Sequence, residues 1–428
     1  MGEAIVAKLL RSIRGQSGGG GGGGGGGESE EAYAADGANL HVYVALVKIA
    51  SAESSGSFQE LVQSMLIELC NKLRAKDHKF RQQVRTSLAE VLQILGPSYL
   101  QFLISILETA LTKGYQLHIC VYTISYMVFA LKGVLNGDVV AAVLPKVLHY
   151  VDMELFRDFA KEKKVKGITR KTPEASKVSS YPLLQILSSA AGKESVRDLV
   201  QPFSSPRATA TGSVSLEKVQ KMKQALTSIL TGLSENPSLD KSDLLLISFG
   251  ILNGKLVDDD NNLTREFAFS MLLSVLKRHA KVTRAEMRPF CPRVVSALEE
   301  KNVELCLLAA KILNLMLTHP DVVDHLGDPE CKLGERAFRS IHENLRRFAA
   351  MRDTRLFSQV TVVMGKMLKT SMVTPTKETA SALQGCFVLA LVHERKGVLK
   401  FISCCRDNLL VCDRLHPNGT VKTSGIRG

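Results

Sequence analysis

Few residues in this chain are spaced for chemistry. The densest set of soft ligands is Cys404-Cys405, followed by Cys412 and His416. Thiolate and imidazole are what zinc takes, but its usual sites are built from two closely spaced pairs. That pairing is missing, and adjacent cysteines seldom point the same way, so these are incidental thiols and no metal is expected. Residues 258–262, DDDNN, set oxygen donors side by side. A calcium loop needs them at alternate positions, with a central glycine and a closing glutamate. This stretch is a solvated turn. His78 and His118 have no nucleophile and carboxylate arranged around them as a triad requires. The patterns HExxH and GxxxxGK[ST] do not occur, and GxSxG and GxGxxG are met only in and beside the glycine tract at residues 15–27, which lacks the strand and helix that either motif needs around it. The chain therefore reads as no enzyme, with no cofactor and no small-molecule substrate.

Charge carries more information. The formal net charge is +13, and the pI is near 9.3. An excess of this size favours acidic partners, nucleic acid above all. The charge is also clustered. Residues 72–85 carry six Lys/Arg against one Asp, and residues 277–293 carry six against one Glu. Residues 161–177 carry seven against two acids, and residues 332–355 have a net charge of +4. Each cluster alone is an ordinary wet corner; four in one chain suggest an edge facing phosphate, with an affinity that falls as salt rises. No aromatics interleave with them, so base-specific reading is not expected. The run KEKKVKGITRK also has the composition of a nuclear import signal.

The elements that must position these clusters are helices. Phe80, Val84, Leu88, Val91 and Leu95 step by three and four and line one helix face. Gly96-Pro97 breaks the chain, and Ser98 is placed to cap the next helix. Leu100, Leu103, Ile106, Leu107 and Leu111 form its stripe, and Gly114 ends it. Helix starts fall near residues 58, 80, 98, 115 and 139, so alternate helices recur every ~35–40 residues, the period of HEAT and armadillo arrays. The fold class is all-α: a HEAT/armadillo-like α-solenoid of stacked antiparallel helix pairs. No βαβ unit or alternating hairpin is evident. The absence of Trp and an aromatic content of 6% leave Leu, Val, Ile and Ala to fill the core.

The predicted organisation has five parts. Residues 1–37, with ten consecutive glycines at 18–27, form a disordered leader, since glycine loses the most backbone entropy on ordering. HEAT-like repeats follow over 38–157, then a basic disordered loop over 158–181. Repeats resume over 182–371, with a flexible break near 203–215. Residues 372–428 are partly helical and then a disordered tail. Nine cysteines, an odd number and mostly within apolar helical patterns, read as reduced core residues of an intracellular protein. Residues 115–131 are the most apolar stretch, but they carry Gln116 and His118 and fall short of ~18 clean apolar residues. They read as a buried helix, and no membrane partner is expected.

The segments SMLIELCNKLRAKDHKFRQQVRTSLAEVLQILGPSYL and ALTKGYQLHICVYTISYMV resemble the down-regulated-in-metastasis family. So do LLLISFGIL, REFAFSMLLSVLKRH, MRPFCPRVVSALEEKNVELCLLAAKILNLML, RAFRSIHENLRRFA and DTRLFSQVTVVMGKMLK, in the family's order. The resemblance runs over residues 58–372, and 72–121 is its most distinctive part. It implies a non-enzymatic HEAT-repeat scaffold of the nucleolar small-subunit processome, acting in pre-rRNA processing and small ribosomal subunit biogenesis. Precursor ribosomal RNA and processome proteins would be its partners, in the nucleus and nucleolus. Family members are several times longer, so this chain resembles an internal part of one. The residues expected at RNA or partner contacts are Arg74, Lys76, Lys79, Arg81 and Arg85. Arg81 and Arg85, one helical turn apart, are expected on a face turned away from Val84 and Leu88. The alternative is a HEAT adaptor or transport-type scaffold that binds proteins alone; its apolar interface would lack the steep salt dependence.

Overall fold

The computed structural model describes residues 30–52, 58–112, 114–157, 172–204, 215–256, 261–279, 281–328, 330–351 and 354–370. All regular structure among them is α- or 3-10 helix. The chain divides into two compact units, residues 1–239 and 240–428.

Among the described residues of the first unit nine α-helices follow one another: α1 (Glu30–Ala52), α2 (Phe58–Lys72), α3 (His78–Leu95), α4 (Leu100–Ala110), α5 (Gln116–Ala130), α6 (Gly137–Phe156), α7 (Ser180–Ala190), α8 (Val196–Ser204) and α9 (Leu216–Glu235). Their packing alternates. Helices α1, α3, α5, α7 and α9 each lie against the next odd-numbered helix, while α2, α4, α6 and α8 form a parallel series. Neighbours in the chain join the two series. This is the two-layer stacking of a solenoid, in which each helix touches only near neighbours in sequence.

Local chemistry sets the helix ends. Asp77 caps α3 by accepting from the Phe80 N–H at 2.6 Å, and Gly96 leaves it at φ +88°, a conformation that favours glycine. Asn136 caps α6 by accepting from the Val139 N–H. Ser98 does not cap α4. Pro97–Tyr99 form a 3-10 turn that runs directly into the helix, without a side-chain cap. Residues 115–131 are a buried helix as expected, with His118, Ile119, Cys120, Ile124 and Met127 inside. No single described helix is long and apolar enough to cross a membrane.

Two boundaries differ from expectation. Helix α1 starts at Glu30, inside the stretch read as leader. The loop read as running to residue 181 ends earlier, because Pro173–Ser176 form a 3-10 turn in which Glu174 and Ala175 are buried. The rest of the leader, the core of that basic loop (158–171) and the tail from residue 371 lie outside the described residues.

The second unit holds α10 (Lys241–Leu252), α11 (Asn262–Arg278), α12 (Arg284–Met287), α13 (Cys291–Leu298), α14 (Val303–Met316), α15 (Pro320–Leu326), α16 (Leu333–Met351) and α17 (Thr354–Lys369). Again α11, α14 and α17 stack in one series and α13 and α16 in another. Asn261, from the run read as a solvated turn, caps α11 in a reciprocal box with Thr264. The short helices α12 and α15 have no counterpart in the periodicity of the sequence.

Candidate nucleic-acid interface

The corner between α2 and α3 is held from three sides. The N–H groups of Leu73, Arg74 and Ala75 donate back to the carbonyls of Cys70, Asn71 and Lys72, closing the end of α2. Arg74 Nε donates to the carbonyl of Ala110 at 2.7 Å, at the end of α4. That bond sets the α2–α3 corner beside the α4–α5 corner. Arg81 reaches back from α3 and donates through Nη1 to the carbonyls of Ala75 and Lys76, at 2.9 and 2.8 Å.

The five basic residues expected at a contact surface divide into two groups. Arg74, Lys76 and Lys79 are exposed. Arg81 and Arg85 are not: they are 1% and 0% exposed, and both turn toward Glu174. Arg81 makes a two-pronged pair with that carboxylate, Nε to Oε1 at 2.9 Å and Nη2 to Oε2 at 2.8 Å. Arg85 Nη1 donates to Oε1 at 3.0 Å. Its other nitrogens reach Gln82 Oε1, and its guanidinium lies 4.9 Å from the centre of the Tyr122 ring. The expectation that this pair faces outward is therefore corrected. Helix α3 sits between α1 and α5 and is also touched by α2, so its buried arc is wider than one stripe. No phosphate reaches two guanidinium groups enclosed in this way.

The charge state of the cluster follows from its surroundings. Burial would raise the Glu174 carboxyl, but hydrogen bonds from Arg81, a backbone bond and the charges of both arginines hold it at about 2. Burial lowers the Arg85 guanidinium while Glu174 pulls it back up, and arginine starts high enough to remain charged. A second buried carboxylate finishes the segment. Glu154 of α6 accepts from the Ser179 and Ser180 N–H groups at 3.1 and 2.7 Å, and from the Ser180 hydroxyl, at the start of α7. Residues 172–180 are thus fastened at both ends.

This arrangement brings the first basic cluster and Lys177, the last residue of the third, to one edge. The corners α2–α3 and α4–α5 and the connection α6–α7 lie on the same side of the stack, linked by Arg74 to Ala110 and by Arg81 to Glu174. Lys177 is exposed on that connection, with its ammonium 5.8 Å from the centre of the Tyr122 ring. Tyr115, 44% exposed at the α4–α5 corner, also belongs to this edge. A sequence scan for interleaved aromatics misses both tyrosines, because tertiary contacts bring them there.

In the second unit Lys277, Arg278, Lys281, Arg284, Arg288 and Arg293 are all exposed. The fourth cluster is partly occupied by structural ties. Arg336 pairs with Glu299 at 2.7 Å, and Arg347 donates to the carbonyls of Glu300 and Lys301. The buried thiols Cys70, Cys120, Cys291 and Cys306 are free, and burial pushes the pKa of each upward, to about 12 for Cys120 and Cys291. They are packing groups. Cys404, Cys405, Cys412 and His416 lie outside the described residues.

Comparison with known proteins adds a relationship. Residues 29–252 match the U3 small nucleolar RNA-associated protein 20 domain. The chain is 24% identical over 277 residues to U3 small nucleolar RNA-associated protein 20 of Schizosaccharomyces pombe, a match covering 59% of this chain and 11% of that protein. It is 26% identical over 201 residues to the protein of the same name in Saccharomyces cerevisiae, covering 47% of this chain and 8% of that protein. The matched region thus spans about a tenth of the length of these relatives.

Proposed function

The chain belongs to the U3 small nucleolar RNA-associated protein 20 family, and from that membership we propose that it is a non-enzymatic helical scaffold of the small-subunit processome, acting in small ribosomal subunit biogenesis. Its place of action is the nucleolus. Its partners are precursor ribosomal RNA and neighbouring assembly proteins. The observation that supports RNA as a direct partner is the edge bearing Arg74, Lys76, Lys79 and Lys177, near Thr172, which the basic residues 158–171 precede in the sequence. Each phosphate met there would release counterions, which gives sequence-tolerant binding of an RNA surface. The contact residues are Arg74, Lys76 and Lys79, with Arg81 and Arg85 holding the corner from inside.

The test is RNA binding by the full chain across a salt series. The substitutions Arg74→Glu, Lys76→Glu and Lys79→Glu together should weaken binding. They should also flatten the slope of log affinity against log salt by about two to three, one per lost phosphate contact. An unchanged slope would remove this edge from the interface. A shallow groove beside Arg74, lined by Ile67, Asn71, Phe102, Ile106 and Ala110, marks where a protein partner would sit instead. In that case capture from cells would recover assembly proteins without RNA, even at low salt.

A further inference from the structure

The turn that leaves α15 in the second unit gathers three side chains with the chemistry of a metal site. Backbone bonds fold it tightly: the Asp328 N–H donates to the His325 carbonyl at 3.4 Å, and the Cys331 N–H to the Asp328 carbonyl at 3.1 Å. The Glu330 N–H donates to Asp328 Oδ1 at 3.0 Å. Steps of three residues along this turn bring an imidazole nitrogen of His325, a carboxylate oxygen of Asp328 and the sulfur of Cys331 within 4.8 Å of one another. His325 is 4% exposed, and its Nδ1 is buried with no hydrogen-bond partner. A buried ring nitrogen without a partner carries an uncompensated desolvation cost, which marks a missing interaction.

We propose that His325, Asp328 and Cys331 bind a divalent cation of the zinc type, with water as the fourth ligand. One nitrogen, one oxygen and one sulfur form a set of mixed softness that suits zinc better than magnesium or calcium, which take oxygen alone. Ligands at zinc distances stand about 3.3–3.8 Å apart on a tetrahedron. The turn must therefore draw in by about 1 Å, and Cys331, which is exposed, is free to move. Its thiol gives up a proton on coordination, so binding releases acid. Cys291 lies near enough to Cys331 for their charges to interact, but its thiol donates to the Met287 carbonyl at 3.3 Å and is left out of the set.

Arg284 acts against the site: its Nη2 stands 3.9 Å from Asp328 Oδ2, and its charge repels an entering cation. Metal entry draws Asp328 away from Arg284.

Cobalt titration of the reduced, metal-free full chain tests the site. One equivalent should produce visible d–d bands and a thiolate-to-cobalt charge-transfer band, both removed by zinc. Cys331→Ser should abolish the charge-transfer band, and Asp328→Asn should weaken binding at least tenfold. Arg284→Ala should tighten binding by about fivefold, the weight of a surface charge pair. The triple variant C404S/C405S/C412S should keep the band, which separates this site from the C-terminal thiols. No band from a chain whose circular dichroism is helical, a band that survives Cys331→Ser, or one lost with the C-terminal thiols would overturn the proposal.

Discussion

Arg81 and Arg85 share one carboxylate, so this cluster carries a net positive charge. The remaining donors are met by the carbonyls of Ala75 and Lys76, by Gln82 and by the Tyr122 ring. Removing the anion should be costly. Glu174→Gln leaves two enclosed cations without a counter-charge and should lower stability by about 3–5 kcal/mol, seen as a lower urea midpoint. The same pair gives a pH dependence of definite sign. The folded carboxyl sits at about 2, below its ordinary value of 4.5. The unfolded chain therefore binds the proton more readily, and the stabilisation is complete above about 4.5 and is lost as pH falls toward 2. Its size is on the order of 3 kcal/mol. Urea midpoints taken from pH 7 down to pH 3 should fall for the parent chain more steeply than for Glu174→Gln. Equal slopes would mean that Glu174 is not held low. None of this pairing was legible in the sequence. Arg81 follows Phe80 and Arg85 follows Val84 on the helical wheel, and their anion lies 93 and 89 residues away across a different connection. The exposure of Arg74, Lys76 and Lys79 was legible, because they sit in a corner between two apolar stripes.

At the scale of elements, helix α9 lies closest to its neighbour where it has no side chain. A Cβ on Gly232 would meet the Gln185 carbonyl oxygen at 2.2 Å and Ser188 Cβ at 2.7 Å, both on α7. A backbone oxygen inside a helix cannot move aside cheaply. Gly232→Ala should therefore destabilise by about 1–3 kcal/mol, against the ~1 kcal/mol that alanine gains in an unhindered helix. Thermal melting of that variant decides between the two, and a raised midpoint would mean that α7 and α9 are not packed this closely. Just beyond, Asn236 is buried and donates to the carbonyls of Ser188 and Ala191, at 3.0 and 2.8 Å, so the same two helices are tied again where α9 ends. The existence of most helices could be read from apolar periods and from breakers such as Gly96 and Asn136. The 3-10 turn at 173–176 could not, since a short Lys-, Ser- and Pro-rich stretch looks like loop until Glu174 finds its arginines. Helices α12 and α15 were hidden for a similar reason, being too short to show a period.

At the scale of the whole chain, each of the two units has its own buried core. A substitution in one should leave the other's stability unchanged, because the terms that hold a helix in such a stack come from adjacent helices. Hydrogen exchange read by mass spectrometry should show Glu174→Gln raising exchange in peptides from α3, α5 and α7 while peptides from α11, α14 and α16 keep their protection. Loss of protection in both sets would mean that the units unfold as one. The bond from Arg81 to Glu174 also governs how the chain can be divided. A fragment cut after Phe156 would retain six complete helices and both arginines but would lose the carboxylate that pairs with them. It should misfold or aggregate. One carried on to Ser204 regains the anion and should fold. The smallest autonomous piece of the first unit is thus set by the reach of this ion pair and not by the number of helical repeats.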